Sequence, residues 1–175
     1  MRMLGIRDLK ILPALGEEAA PGETEPERIV TALAAHKGRE VAAKCAPEDV
    51  IVAADTMVWH RGRVFGKPRS EAEAADMLRE LSGDVNEVYT GLYVRRGEQE
   101  LSRAVKSRVR FKRLSEEEIA AYIATGEPMD KAGAYGAQGR AALFIEGIEG
   151  DFFNVVGLPV YTLGVLLREL GVRLL

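Results

Sequence analysis

A chain of 175 residues, 47% apolar and 29% charged, can bury a full core without disulfide or metal staples. Its net charge of −3 supplies no general field for nucleic acid or an anionic membrane, and no run approaches the roughly 18 apolar residues of a membrane helix. Cys45 is the only cysteine and His36 and His60 the only histidines, which excludes an internal disulfide, a thiolate zinc site and an imidazole-rich metal centre, and with no basic-then-apolar leader at Met1 points to a reducing cytoplasm.

In chain order, "GEEAAPGETEP" reads as a long loop, being short of large apolar residues. Thr24, Ser70 and Ser115 each have a glutamate three residues on (Glu27, Glu73 and Glu118), the spacing of a capping box. They predict helices over about 25–44, 71–81 and 116–125, and a last helix fits 160–170, before Gly171. "DVIVAAD" is a continuous apolar run, as in a strand buried on both faces, and "MVWHRGRVFG" reads as two short strands about an Arg61-Gly62 turn. The stretch from Asn86 to Leu114 reads as a hairpin turning at Arg96-Gly97, and "RAALFIEGIEGDFFNVVG" as one further strand and a turn. Helices and strands alternate and then strands cluster, which predicts an α/β fold, one domain from 1 to 175 with room for two lobes.

Several residues carry candidate chemistry. Asp55 and Thr56 follow five apolar residues, so Asp55 is expected at the carboxyl end of a buried strand, where open α/β sheets bind ligands; a turn or cap aspartate is the plainer alternative. Lys37 falls on the apolar stripe formed by Val30, Leu33, Ala34 and Val41, so it either snorkels to the rim or meets a partner or a phosphate. Lys67 sits in "GKP", a rigid turn that is either plain surface or a projecting cation. "DKAGAYGAQG" places Lys131 and Gln138 among glycines, either a turn-rich region or a wall that approaches a ligand closely, where one glutamine amide can both donate and accept. Lys106, Arg108, Arg110 and Lys112 alternate with Val105, Ser107, Val109 and Phe111, the wet face of a half-buried strand. Any metal chemistry falls to carboxylates, hence to a hard ion.

The order of six short blocks joins these signals. "AADT", "GKP", "LSG", "VYTG", "AGAYGAQG" and "IEGDFFNVVGLPVY" together resemble the Maf family of nucleotide pyrophosphatases, over nearly the whole chain. The resemblance implies a mixed sheet with flanking helices and a deep cleft, similar to the inosine triphosphate pyrophosphatase fold. It implies a homodimer that hydrolyses a nucleoside triphosphate to the monophosphate and pyrophosphate with a divalent cation, Mg²⁺ or Mn²⁺; the charge and the lack of a long apolar run already argue against nucleic acid or membrane as a partner. Carried over by position, Asp55 is the catalytic carboxylate, Lys37 and Lys67 are phosphate-side lysines, and Thr56 and Gln138 are specificity positions. Asp55 with Glu17 or Glu18 would hold the metal. The "AGAYGAQG" block resembles the branch acting on dTTP and UTP.

One departure stands out. The family usually opens with Ser-x-Ser-Pro-Arg-Arg, whereas "MRMLGIRDLKIL" matches the stretch just downstream of that motif, so a phosphate clamp lacking those serines and arginines is expected. A nucleotide-binding regulator of cell division with reduced or no turnover is the alternative to the enzyme.

Overall fold

Local chemistry sets most helix starts. The structure, a computed structural model, describes residues 5–6, 8–15 and 22–174. Helix α1 spans Pro26–Ala42, α2 Glu71–Leu81 and α3 Glu116–Ile123. At α3 the capping box is complete: Ser115 Oγ accepts from the Glu118 N–H, and the Glu118 carboxylate accepts from the Ser115 N–H. At α2 only half of it forms, because Ser70 Oγ accepts from the Glu73 N–H while the Glu73 carboxylate turns to the Arg69 N–H. Thr24 is not the cap of α1. The N-cap is Glu25, and its carbonyl accepts from Arg28 and Ile29 while Pro26 fills the first helical position.

Strand β1 is Val50–His60, β2 Arg63–Phe65, β3 Val85–Arg96, β4 Gln99–Phe111 and β5 Ile145–Glu149. They form one open antiparallel sheet in the order β2-β1-β3-β4-β5, with helices flanking it, so the expected α/β class holds. The expected mixed sheet is instead antiparallel, since β1–β2 and β3–β4 are hairpins whose two-residue connections need no crossover. Arg61 and Gly62, with φ of 48° and 78°, make the first turn, the left-handed pair that matches the twist of the strands.

Two expectations about β1 are corrected. It is not buried on both faces, because residues 52–56 are only half-buried. It also does not end at Asp55, but runs five residues further, so Asp55 is a mid-strand residue. The rule that ligands gather at carboxyl strand ends belongs to parallel sheets and has no purchase here.

The chain divides into two compact units. The first gathers the chain up to Asp55, Gly91–Ala104 and the chain from Val160 onward. Its core sets α1 against β3 at contact distance: a methyl at Gly91 would lie 2.1 Å from the Val30 carbonyl oxygen, and one at Gly38 would lie 2.1 Å from the Tyr93 ring. Only glycine allows backbone and ring to come this close. Ala34, Ile51 and Tyr93 fill the space around these notches, and α5 (Val160–Glu169) is tied in where Arg96 donates to the Leu170 carbonyl at 3.0 Å.

The second unit comprises Thr56–Thr90 and Val105–Pro159. Its core packs Leu78 and Leu81 of α2, Val88, Val109 and Phe111 of the sheet, and Ile119 and Tyr122 of α3 with Tyr135 and Phe144. Edge-to-face rings, Phe111 with Tyr135 and Tyr122 with Phe144, anchor the glycine-rich stretch to this core. The cationic face of β4 is solvated as expected, and Lys106 pairs with Glu87 at 2.6 Å and Arg108 with Glu149 at 3.1 Å. The short helix α4, Phe152–Val155, starts where the Asp151 carboxylate accepts from the Phe153 N–H. Among the described residues no helix is long and apolar enough to cross a membrane.

Candidate functional site

In the first unit, the Gly38 notch sits next to Lys37 on α1 and fixes that turn of the helix against the sheet. The Lys37 ammonium donates to Asp55 Oδ1 at 2.6 Å, with the lysine side chain 25% and the aspartate side chain 12% exposed. Of the two readings of Lys37, snorkelling is therefore set aside: it turns inward to a carboxylate. With most of each side chain out of water, salt screens this pair less than a surface pair. One turn on, Glu40 accepts from the Leu15 N–H at 3.0 Å and from Lys44 at 2.9 Å. Glu17 and Glu18 lie outside the described residues.

In the second unit, a pocket of about 260 Å³ gathers Thr56, Lys67, Lys131, Tyr135, Gln138 and Gly157. That is near the lower end for small-ligand pockets. Thr56 is among its polar lining residues, and Val58, Val88 and Val155 supply apolar wall. Lys67 and Gln138 are exposed at its edge, and the Lys131 ammonium is paired with Asp130. The Gly66 carbonyl, beside Lys67, accepts from the Gly133 N–H at 3.0 Å, so the "GKP" turn and the glycine-rich stretch are joined. Thr56, Lys67 and Gln138, far apart in sequence, thus share one pocket within this unit. A second hollow, lined by Arg108, Arg110, Glu146 and Glu149, lies on the solvated face of β4 and β5, where Arg108 is already paired.

Two residues that position this pocket carry no sequence signature. Glu127 braces the loop that bears Gln138: its carboxylate accepts from the Tyr122 hydroxyl at 2.9 Å and from the Arg140 N–H at 3.0 Å. A methyl at Gly139 would lie 2.0 Å from Glu127 Oε1, so any larger residue there would displace this carboxylate from its bonds. Burial pushes the Glu127 carboxyl up, but hydrogen bonds from the Arg140 N–H, the Tyr122 hydroxyl and the Ala141 N–H outweigh it and hold it below the usual range. Burial, and then the bond to Glu127, pushes the Tyr122 hydroxyl well up. Asn154, fully buried, donates to the Val88 carbonyl at 3.0 Å and to Ser107 Oγ at 2.9 Å, and so ties α4 to the sheet beneath Thr56. Glu127 lies eleven residues before Gln138 in no recognisable spacing, and Asn154 looks like any turn asparagine; the only available signal was that Asn154 falls inside the "IEGDFFNVVGLPVY" block.

Among the described residues, no three His, Cys, Asp or Glu side chains gather so as to hold a metal ion by themselves. Asp55 carries a carboxylate, a hard oxygen ligand. That suits a small divalent ion that keeps most of its waters or shares phosphate oxygens, and it does not suit an all-protein cage.

Comparison with known proteins fits this picture. A family model described as "Maf-like protein" matches residues 1–170. A dTTP/UTP pyrophosphatase of Thermococcus gammatolerans is 46% identical over 170 residues, covering 97% of this chain and 89% of the relative. Proteins of the same name from Pelotomaculum thermopropionicum (44% over 177 residues, 100% and 92% covered) and Thermococcus onnurineus (47% over 167 residues, 95% and 88%) are similar to it as well. With the six sequence blocks, the antiparallel α/β fold and a match that spans almost every residue, the chain belongs to the Maf family.

Proposed function

We propose that this chain is a nucleoside triphosphate pyrophosphatase acting on dTTP, UTP or modified pyrimidine triphosphates. The observation that carries the reading is its near full-length similarity to proteins named dTTP/UTP pyrophosphatase. A nucleotide-binding regulator without turnover is not favoured, since those relatives are named for an activity. In the proposed reaction, water adds to phosphorus across the α–β anhydride, the bridging P–O bond breaks, and monophosphate and pyrophosphate leave.

Asp55 is the proposed base or metal carboxylate. Its pairing with Lys37 supports the role, because a phosphate oxygen that draws the ammonium away releases a carboxylate lone pair beside the reacting chain. Lys37 and Lys67 serve as point charges for phosphate oxygens, and Thr56 and Gln138 read the base. Asp55 is the described residue that would hold Mg²⁺ or Mn²⁺, with Glu17 or Glu18 as its proposed companion. Such an ion neutralises phosphate charge in the transition state. We also propose that the protein works as a cytoplasmic homodimer, an assembly that sedimentation of the purified chain checks.

A panel of nucleoside triphosphates assayed for pyrophosphate release tests the reading. Release from dTTP and UTP well above that from purine triphosphates is expected. Absence of release from every triphosphate, with Mg²⁺ and with Mn²⁺, would overturn it.

A further inference from the structure

The hydroxyl of Thr56 is one link in a chain of hydrogen bonds whose direction can be worked out. Thr90 is fully buried, and its Oγ1 lies 3.1 Å from the carbonyl oxygen of Asn154. A carbonyl only accepts, so Thr90 spends its one proton there. Thr56 Oγ1 lies 2.9 Å from Thr90 Oγ1, and by distance alone either could donate. With the Thr90 proton committed, Thr56 must be the donor. Its own proton then points back at Thr90, and its remaining lone pairs are the only hydrogen-bonding capacity it can turn to the pocket.

The Asn154 carbonyl also accepts from the Gly157 N–H at 2.9 Å, and its second lone pair is the one that meets Thr90. The Asn154 amide orientation is set because its Nδ2 faces the Val88 carbonyl, another pure acceptor, at 3.0 Å. Ser107 Oγ receives that amide at 2.9 Å and the Asp151 N–H at 3.0 Å, and donates to the Asp151 carbonyl at 3.0 Å. Gly157 lines the same pocket, and a methyl there would crowd Thr56 Oγ1 at 3.3 Å. The Gln138 amide, which can donate or accept, cannot tell a donor edge from an acceptor edge by itself.

We propose that Thr90 is a positioning residue that holds Thr56 as an obligate hydrogen-bond acceptor, so that the pocket selects a pyrimidine whose ring N3 carries hydrogen, uracil or thymine, over cytosine, whose N3 accepts. The inference rests on the proposed substrate class. A group of fixed polarity facing a base with the wrong polarity leaves two acceptors opposed, and such mismatches discriminate strongly.

The test compares wild type, Thr90→Val and Thr90→Ser. Two readouts are used: kcat/KM for UTP and CTP, and calorimetric binding of UMP and CMP. Wild type is expected to prefer the uracil nucleotide by at least about tenfold in both. Valine keeps the shape but removes the acceptor for Thr56, whose hydroxyl is then able to donate to cytosine, so the preference is expected to fall about tenfold. Serine restores the hydroxyl and is expected to restore the ratio, which a merely structural role for Thr90 would not do. A further measurement needs no variant: 3-methyluridine monophosphate, which lacks the N3 hydrogen, should bind wild type as weakly as CMP. Equal binding of UMP, CMP and 3-methyl-UMP by wild type would overturn the inference, as would an unchanged ratio in a folded Thr90→Val protein. Turnover of UTP and CTP at equal efficiency sinks this inference and leaves the pyrophosphatase reading standing. Thr90-dependent preference for UMP without any triphosphate turnover does the reverse.

Discussion

The two units use polar groups in opposite ways. In the first, an ammonium and a carboxylate, Lys37 of α1 and Asp55 of β1, meet at 2.6 Å. In the second, the pocket side of β1 presents a neutral hydroxyl, and behind it stands a relay of hydroxyls, amides and carbonyls, Thr56, Thr90, Asn154 and Ser107, each distance between 2.9 and 3.1 Å. Charged groups suit chemistry on a polyanion, where the interaction is strong and tolerant of angle. Neutral groups suit recognition, where direction rather than strength separates one base from another. The boundary falls between consecutive residues, Asp55 and Thr56.

This contrast can be broken from the charged side first. Asp55→Asn keeps the side-chain shape and loses basicity and metal affinity. We expect hydrolysis of dTTP to fall by about 10² or more, with thermal unfolding showing an intact fold. Pyrophosphate release near the wild-type rate would take Asp55 out of its proposed role.

The next largest effect is on stability. Gly91→Ala would drive a methyl to 2.1 Å from the Val30 carbonyl oxygen, and backbone cannot swing aside as a side chain can. We expect a loss of about 1–3 kcal/mol or more, in the range of overpacked cores, read by urea denaturation. If the notch also sets the Lys37–Asp55 pair, activity should fall with it at temperatures where the variant remains folded.

On the neutral side, Gln138→Ala is expected to change the ratio of pyrimidine to purine triphosphate turnover by about tenfold while altering the best substrate's kcat less. A uniform drop across all nucleotides would assign Gln138 to something other than base recognition.

The smallest expected effect sharpens the role of the loop brace. Glu127 is held below its ordinary value of 4.5, so its contribution is fully present above that pH and is lost as pH falls through the lower, folded value. The Arg140 and Ala141 amides should therefore shift in NMR spectra together, at a pH below 4.5. Movement of the Arg140 amide at or above 4.5 would contradict the bracing described for Glu127.

Sequence alone carried much of this. The helices at Ser70 and Ser115 arise from side chains that satisfy backbone donors within a few residues, and the Arg61-Gly62 turn from a local need for left-handed backbone. Thr24 misled because the cap signal was one residue out and Pro26 took over the first turn. The alternating face of β4 was legible because a strand repeats every two residues. What only the tertiary structure decided are relations between residues distant along the chain. That Lys37 turns to Asp55, that β1 runs on past Asp55, that Glu127 braces the Gln138 loop and that Thr90 Oγ1 meets both Thr56 and the Asn154 carbonyl all depend on which elements pack together. Capping, turns and alternation are short-range effects and leave a mark in the residues beside them. A hydrogen bond between residues 34 or 64 positions apart, as at Thr90, leaves none, because its geometry exists only once the core has closed.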